Sequence, residues 1–194
     1  MNIVNCIQGS TEWHNLRKER MTASHAQAIA SNGKGLTTYI TQLMQMLYSS
    51  AEPDNFKSKA MERGNELESS ARFAYEAETN TQVDEIGFVI YDNHTGCSPD
   101  GVVNDGLVEI KCLEDKAYFN YLLSCKIDTG YEWQMQMQML ICEKLWCDYV
   151  VYNPNFKKSL IIKRVFLDAV KSEKLKQGFL TGIEIMNDIK NKLE

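Results

Sequence analysis

The stretch Cys97-Ser-Pro-Asp-Gly-Val-Val-Asn-Asp-Gly-Leu-Val-Glu-Ile-Lys-Cys112 constrains this chain more than any other. Val102-Val103 and Leu107-Val108 are strand-type residues, and Asn104-Asp105-Gly106 between them is a hairpin signal. Glu109 and Lys111 are two apart, so they share one face of their strand. If Asn104-Asp105 form a two-residue loop, Asp100 lies opposite Glu109; if Asp105-Gly106 form it, Asp100 lies opposite Lys111. Either register gathers Asp100, Glu109 and Lys111 on one face. A three-residue loop without a bulge sets Asp100 opposite Ile110 and breaks the group.

Two converging carboxylates raise each other's pKa unless a cation lies between them. Oxygen ligands suit Mg²⁺, which keeps some waters and binds through one or two carboxylates plus substrate phosphate. Such a metal activates water and steadies charge on a phosphate under attack. A neighbouring lysine can orient that water or the phosphate. The bland alternative is a solvated hairpin, with Asp100 serving the turn and Glu109–Lys111 a weak surface pair.

The whole chain, 1–194, is expected to form one α/β domain, with a central mixed sheet of about five strands flanked by helices. Its net charge of −5 argues against a module that grips nucleic acid over a broad basic surface. It is neutral for a metal nuclease, because metal-binding acids contribute to the negative count. The six cysteines show no zinc-type spacing and read as reduced, buried thiols. No apolar run is long enough to span a bilayer, and Met1-Asn-Ile-Val-Asn lacks a secretory signal pattern, so a cytoplasmic location is expected.

Other stretches carry motifs. Gln8 to Arg17 opens a helix with Ser10 as N-cap, and Thr22-Ala23-Ser24 starts a second, short one that ends at Asn32-Gly33. Helices are expected over 37–48 and 57–78, separated by the linker Ala51-Glu-Pro-Asp-Asn55. Thr81 to Tyr91 reads as a strand or strand pair, and Asp115 to Cys125 as a helix. Tyr131 to Cys142 alternates Gln and Met like a strand, but its residues are better helix formers, so a helix is expected. Strands follow at 145–152 and 159–166, then a helix capped by Asp168.

Ser98-Pro-Asp-Gly101 followed by Glu109-Ile-Lys-Cys112 resembles the core of the PD-(D/E)XK nuclease superfamily. Trp13-His-Asn-Leu-Arg17, Thr22-Ala-Ser24, Met61 to Glu66 and Gln134-Met-Gln136 follow the same order as blocks of the lambda-exonuclease or YqaJ-type viral recombination nucleases. The resemblance covers about residues 8 to 155. It implies a Mg²⁺-dependent 5′→3′ exonuclease on linear double-stranded DNA, with Mn²⁺ as a substitute. By the same resemblance, the enzyme is a homotrimeric ring of phage or prophage origin. It acts in a bacterial host and passes a 3′ overhang to a single-strand annealing protein.

The resemblance also assigns residues. Asp100, Glu109 and the Ile110 carbonyl would hold metal, and Lys111 would position or activate water. A helix glutamate completes the site: Glu68 matches the spacing of the lambda branch, and Glu66 is the second choice. Gln134 and Gln136 lie beside the metal, while Arg17, Ser24 and Ser98 take the 5′ phosphate. Met61 falls where the family places an apolar wedge that parts the terminal base pairs. The rivals are an endonuclease or resolvase of the same superfamily, and a noncatalytic DNA-end-binding module.

Overall fold

The computed structural model describes residues 2–50 and 59–193, and their side chains except at 59–62 and 65. The linker expected at 51–55, the helix start expected at Lys57 and the side chain of Met61 lie outside what is described.

The architecture is mixed α/β. The strands divide into two four-stranded sheets rather than one sheet of about five. The first has the order β1 (Asn2–Val4), β3 (Phe88–Ile90), β4 (Thr95–Cys97), β2 (Met21–Thr22). The second has the order β5 (Gly101–Val103), β6 (Gly106–Cys112), β7 (Trp146–Tyr152), β8 (Leu160–Phe166). The split occurs because 81–91 contributes only the short β3 to the first sheet, while an isolated bridge from Asp84 to Val102 ties its start to the second. Strands β1 and β2 are three and two residues long, too short to show an alternating pattern.

In the second sheet β6 and β7 run parallel, flanked by antiparallel β5 and β8. Both central strands are covered on their two faces, which is why their sequences are almost continuously apolar. On one face Val108, Ile110 and Val150 pack with Ala71 and Tyr75 of α4 (Lys59–Thr79). On the other, Leu107, Tyr149 and Val151 join the larger core with Met135, Met137 and Met139 of α6 (Thr129–Cys142). That core continues through α2 (Ala26–Ser31), α3 (Lys34–Tyr48) and α7 (Ala169–Leu193). Helices α1 (Thr11–Lys18) and α5 (Asp115–Ser124) are the remaining α-helices among the described residues.

The caps follow local chemistry. The Ser10 side chain accepts from the Trp13 N–H at the start of α1, and Asp168 accepts from Val170 and Lys171 at the start of α7. Helix α7 docks very closely. A Cβ at Gly178 would sit 2.1 Å from the Ile29 carbonyl oxygen, and one at Gly182 would meet the Met21 sulfur at 2.5 Å. Only glycine lets the helix backbone come this near to α2 and β2.

Candidate active site

The hairpin adopts one register. Gly101 faces Val108, Val102 faces Leu107 and Val103 faces Gly106, leaving Asn104-Asp105 as a two-residue loop. Asn104 takes the left-handed conformation, φ 51°. Gly106 is not a turn residue here. It opens β6 beneath the Trp146 ring, where a Cβ would lie 2.3 Å from ring carbons. The same count carried one residue further aligns Asp100 with Glu109.

Glu109 is completely buried. Its Oε1 accepts from Lys111 Nζ at 2.5 Å and from Gln134 Nε2 at 2.6 Å, and its Oε2 accepts from Gln138 Nε2 at 2.7 Å. Asp100 sits just before β5 and accepts the Ile110 N–H on Oδ2 at 2.6 Å. Burial, then the Glu109 carboxylate, pushes the Asp100 carboxyl well above its ordinary range; Lys111 pulls it down and Glu68 adds to the rise. Burial alone would lower the Lys111 ammonium, but Glu109 and Asp100 outweigh it and leave its pKa raised. The Tyr131 ring lies 4.9 Å from Lys111 Nζ.

Glu68 stands at the same end of the sheet. Burial, then the carboxylates of Glu68 and Asp100, push the Cys112 thiol up to about 11, while Arg63 and Lys111 act the other way. Glu68 pairs with Arg72 at 3.1 Å, and Arg72 also pairs with Glu85. Glu66 is exposed, so of the two helix glutamates it is Glu68 that acts on Asp100. Among the described residues no three His, Cys, Asp or Glu side chains converge as a ready-made metal cluster. The donor set still fits a hard divalent cation. It is all oxygen, it is held by burial and amides, and burial with the neighbouring carboxylates raises Asp100 against a single lysine.

The two glutamines named from the sequence part company. Gln134 reaches Glu109, but Gln136 is held elsewhere: its Nε2 donates to the Phe166 carbonyl and its Oε1 accepts the Asp168 N–H. Gln138, one turn beyond Gln134, takes the place beside Glu109. Residues four apart share a helix face and residues two apart do not, so helical spacing selects 134 with 138. That signal was present in the sequence and was missed.

Arg17, Ser24 and Ser98 are gathered at the start of the chain's helical layer. Arg17 Nη2 lies 3.3 Å from Ser24 Oγ and 3.4 Å from Thr22 Oγ1. Its guanidinium rests 4.2 Å over the Trp13 ring, and Trp13 Nε1 donates to Ser98 Oγ at 2.7 Å. Ser24 also meets His25 Nδ1 at 3.2 Å, and His25 stacks on Tyr39 with ring centroids 3.9 Å apart. Burial, then the Arg17 charge, lowers the His25 pKa, so the ring favours its neutral form. Trp13, His25 and Tyr39 were not singled out from the sequence as members of this corner. The link of Trp13 to Ser98 depends on a contact across 85 positions.

Residues 12–144 match the sequence profile of the YqaJ-like viral recombinase domain. No curated protein matches the chain. Among solved structures, the chain is similar to LHK-Exo in complex with dAMP, at 28% identity and a TM-score of 0.84, covering 94% of this chain and 95% of that one. It is likewise similar to the alkaline exonuclease LHK-Exo from Laribacter hongkongensis, at 28% identity and TM-score 0.82, covering 95% and 98%. A phage-related exonuclease from Haemophilus somnus 129PT shares the fold, at 13% identity and TM-score 0.70, covering 93% and 99%.

Proposed function

The chain belongs to the YqaJ-like viral recombinase domain family and is a phage-type nuclease, and from that premise we propose that it is a Mg²⁺-dependent 5′→3′ exonuclease on linear double-stranded DNA. The observation that carries this reading is Glu109: a fully buried carboxylate held by one lysine and two amides beside a second carboxylate, Asp100. Asp100, Glu109, the Ile110 carbonyl and Glu68 would hold the divalent ion, Mg²⁺ or in its place Mn²⁺. When bound, that ion activates water and steadies charge on the phosphate.

Lys111 positions the attacking water, with Glu109 fixing its ammonium and Tyr131 flanking it. Gln134 and Gln138 hold the Glu109 carboxylate without adding charge. Arg17 and Ser24, with Ser98 anchored by Trp13, take the 5′-terminal phosphate. Water adds to phosphorus, the bond to the 3′ oxygen breaks, and the proton ends on that oxygen. Repetition from the 5′ end leaves a 3′ overhang. The dAMP bound by LHK-Exo is the kind of mononucleotide this chemistry releases. The assembly that accompanies this reading is a homotrimer that hands its overhang to a single-strand annealing protein, inside a bacterial cell.

The test supplies Mg²⁺ with linear 5′-phosphorylated duplex, nonphosphorylated duplex or closed circular DNA. Mononucleotides released from the phosphorylated duplex alone support the exonuclease. Nicking of circles replaces it with an endonuclease, and end binding without hydrolysis replaces it with a binding module.

A further inference from the structure

Arg63, on α4, has a guanidinium edge with nothing to hold. Its Nε and Nη2 are both enclosed and, among the described residues, neither has a hydrogen-bond partner. These are the two atoms with which Arg164 grips Asp148, Nε to Oδ1 at 2.8 Å and Nη2 to Oδ2 at 2.9 Å. The same fork that is filled in one arginine is empty in the other. Arg72 also has an unpartnered Nε, but its remaining nitrogens pair with Glu68 and Glu85, so its charge is answered.

The place of the empty fork is informative. Helix α4 crosses the second sheet. At one end the Tyr75 hydroxyl donates to Asp148 at 2.8 Å. Arg63 lies three turns earlier, at the end where β6 finishes, near enough to act on Cys112 and Asp115. Asp115 accepts from Asn153 and Asn155 instead, both at 2.9 Å. Among the described residues no carboxylate claims the fork. A guanidinium stays charged at any working pH, and an enclosed donor pair without an acceptor is costly. The acceptor that matches two parallel N–H groups is a carboxylate or a phosphate.

We propose that the Nε–Nη2 edge of Arg63 is a phosphate-binding fork that takes an internal phosphodiester of the strand entering the Asp100–Glu109 site. This rests on the nuclease reading, and it adds a contact separate from the Arg17 corner.

The experiment measures binding of a fluorescent 5′-phosphorylated linear duplex to the full chain in Ca²⁺ buffer, over a range of salt. Arg63→Ala should weaken binding about tenfold or more. It should also flatten the dependence of log affinity on log salt by about one unit. Arg63→Lys, which keeps the charge and stem, should keep the salt slope but not the affinity. The loss should persist on duplex lacking the 5′ phosphate. A loss confined to phosphorylated ends would overturn the internal assignment. Unchanged affinity and slope in both variants, whatever their melting temperatures, would overturn the fork. Wild-type hydrolysis in Mg²⁺ is followed in parallel. Duplex binding without mononucleotide release sinks the nuclease reading and leaves the Arg63 result legible.

Discussion

Two buried carboxylates occupy neighbouring positions on the central strands of the second sheet. Glu109 is 0% exposed and Asp148 is 2% exposed, and they point to opposite faces. Their partners differ. Asp148 is closed by the Arg164 fork and the Tyr75 hydroxyl, and Arg164 in turn lies 3.6 Å over the Trp146 ring. Glu109 is met by one lysine, whose ammonium also feels Asp100, and by two neutral amides. The first arrangement cancels a charge and joins α4, β7 and β8. The second fixes a carboxylate in space while leaving its face short of positive charge. Equal burial thus locks Asp148 into the scaffold and holds Glu109 beside Asp100, where the proposed function needs it.

The most severe challenge to this contrast is Glu109→Gln. Hydrolysis should fall about a thousandfold, by analogy with removing a group that stabilises a transition state, while the melting temperature holds or rises. Steady-state release of mononucleotides and a thermal melt check both halves. Equal loss of fold and activity would place Glu109 in the same class as Asp148.

The converse substitution is Arg164→Met. It leaves Asp148 buried without its fork and should cost about 3 kcal/mol or somewhat less, since water reaches the Arg164 side chain, which is 46% exposed. Denaturant unfolding measures this. Activity per folded molecule should be unchanged.

Finer substitutions sharpen the difference within α6. Gln138→Ala should lower kcat about tenfold, one charge-assisted hydrogen bond to Glu109 being removed. Gln136→Ala should leave kcat alone and cost about 1–2 kcal/mol, because the Phe166 carbonyl and the Asp168 N–H lose their partner. A kcat loss at 136 equal to that at 138 would erase the distinction between the two glutamines.

The hairpin shows how far the sequence reaches. Alternation in β6 put Glu109 and Lys111 on one face, and the turn residues narrowed the loop to a few choices. Selecting Asn104-Asp105 needed the Trp146 ring over Gly106, a contact across 40 positions that no local pattern contains. For α6, residue preference favoured helix over strand, and the helix is observed. Gln136 was paired with Gln134 through the family's Gln-x-Gln motif, whereas the helical period sets Gln138 with Gln134 at Glu109. The two-sheet division escaped because β1 and β2 gain their order only from β3 and β4, far along the chain. The Trp13–Ser98 bond escaped for the same reason.

The close seat of α7 on Ile29 has a consequence for how the molecule is made. Synthesis delivers α7 after every element it rests on, so α2 stays bare on that side until α7 leaves the ribosome. The corner formed by Arg17, Ser24 and His25 borders that layer. Its footing therefore sets only after α7 is made, and a polypeptide halted before α7 would carry the hairpin proposed to be catalytic without a firm seat for the corner proposed to take the 5′ phosphate.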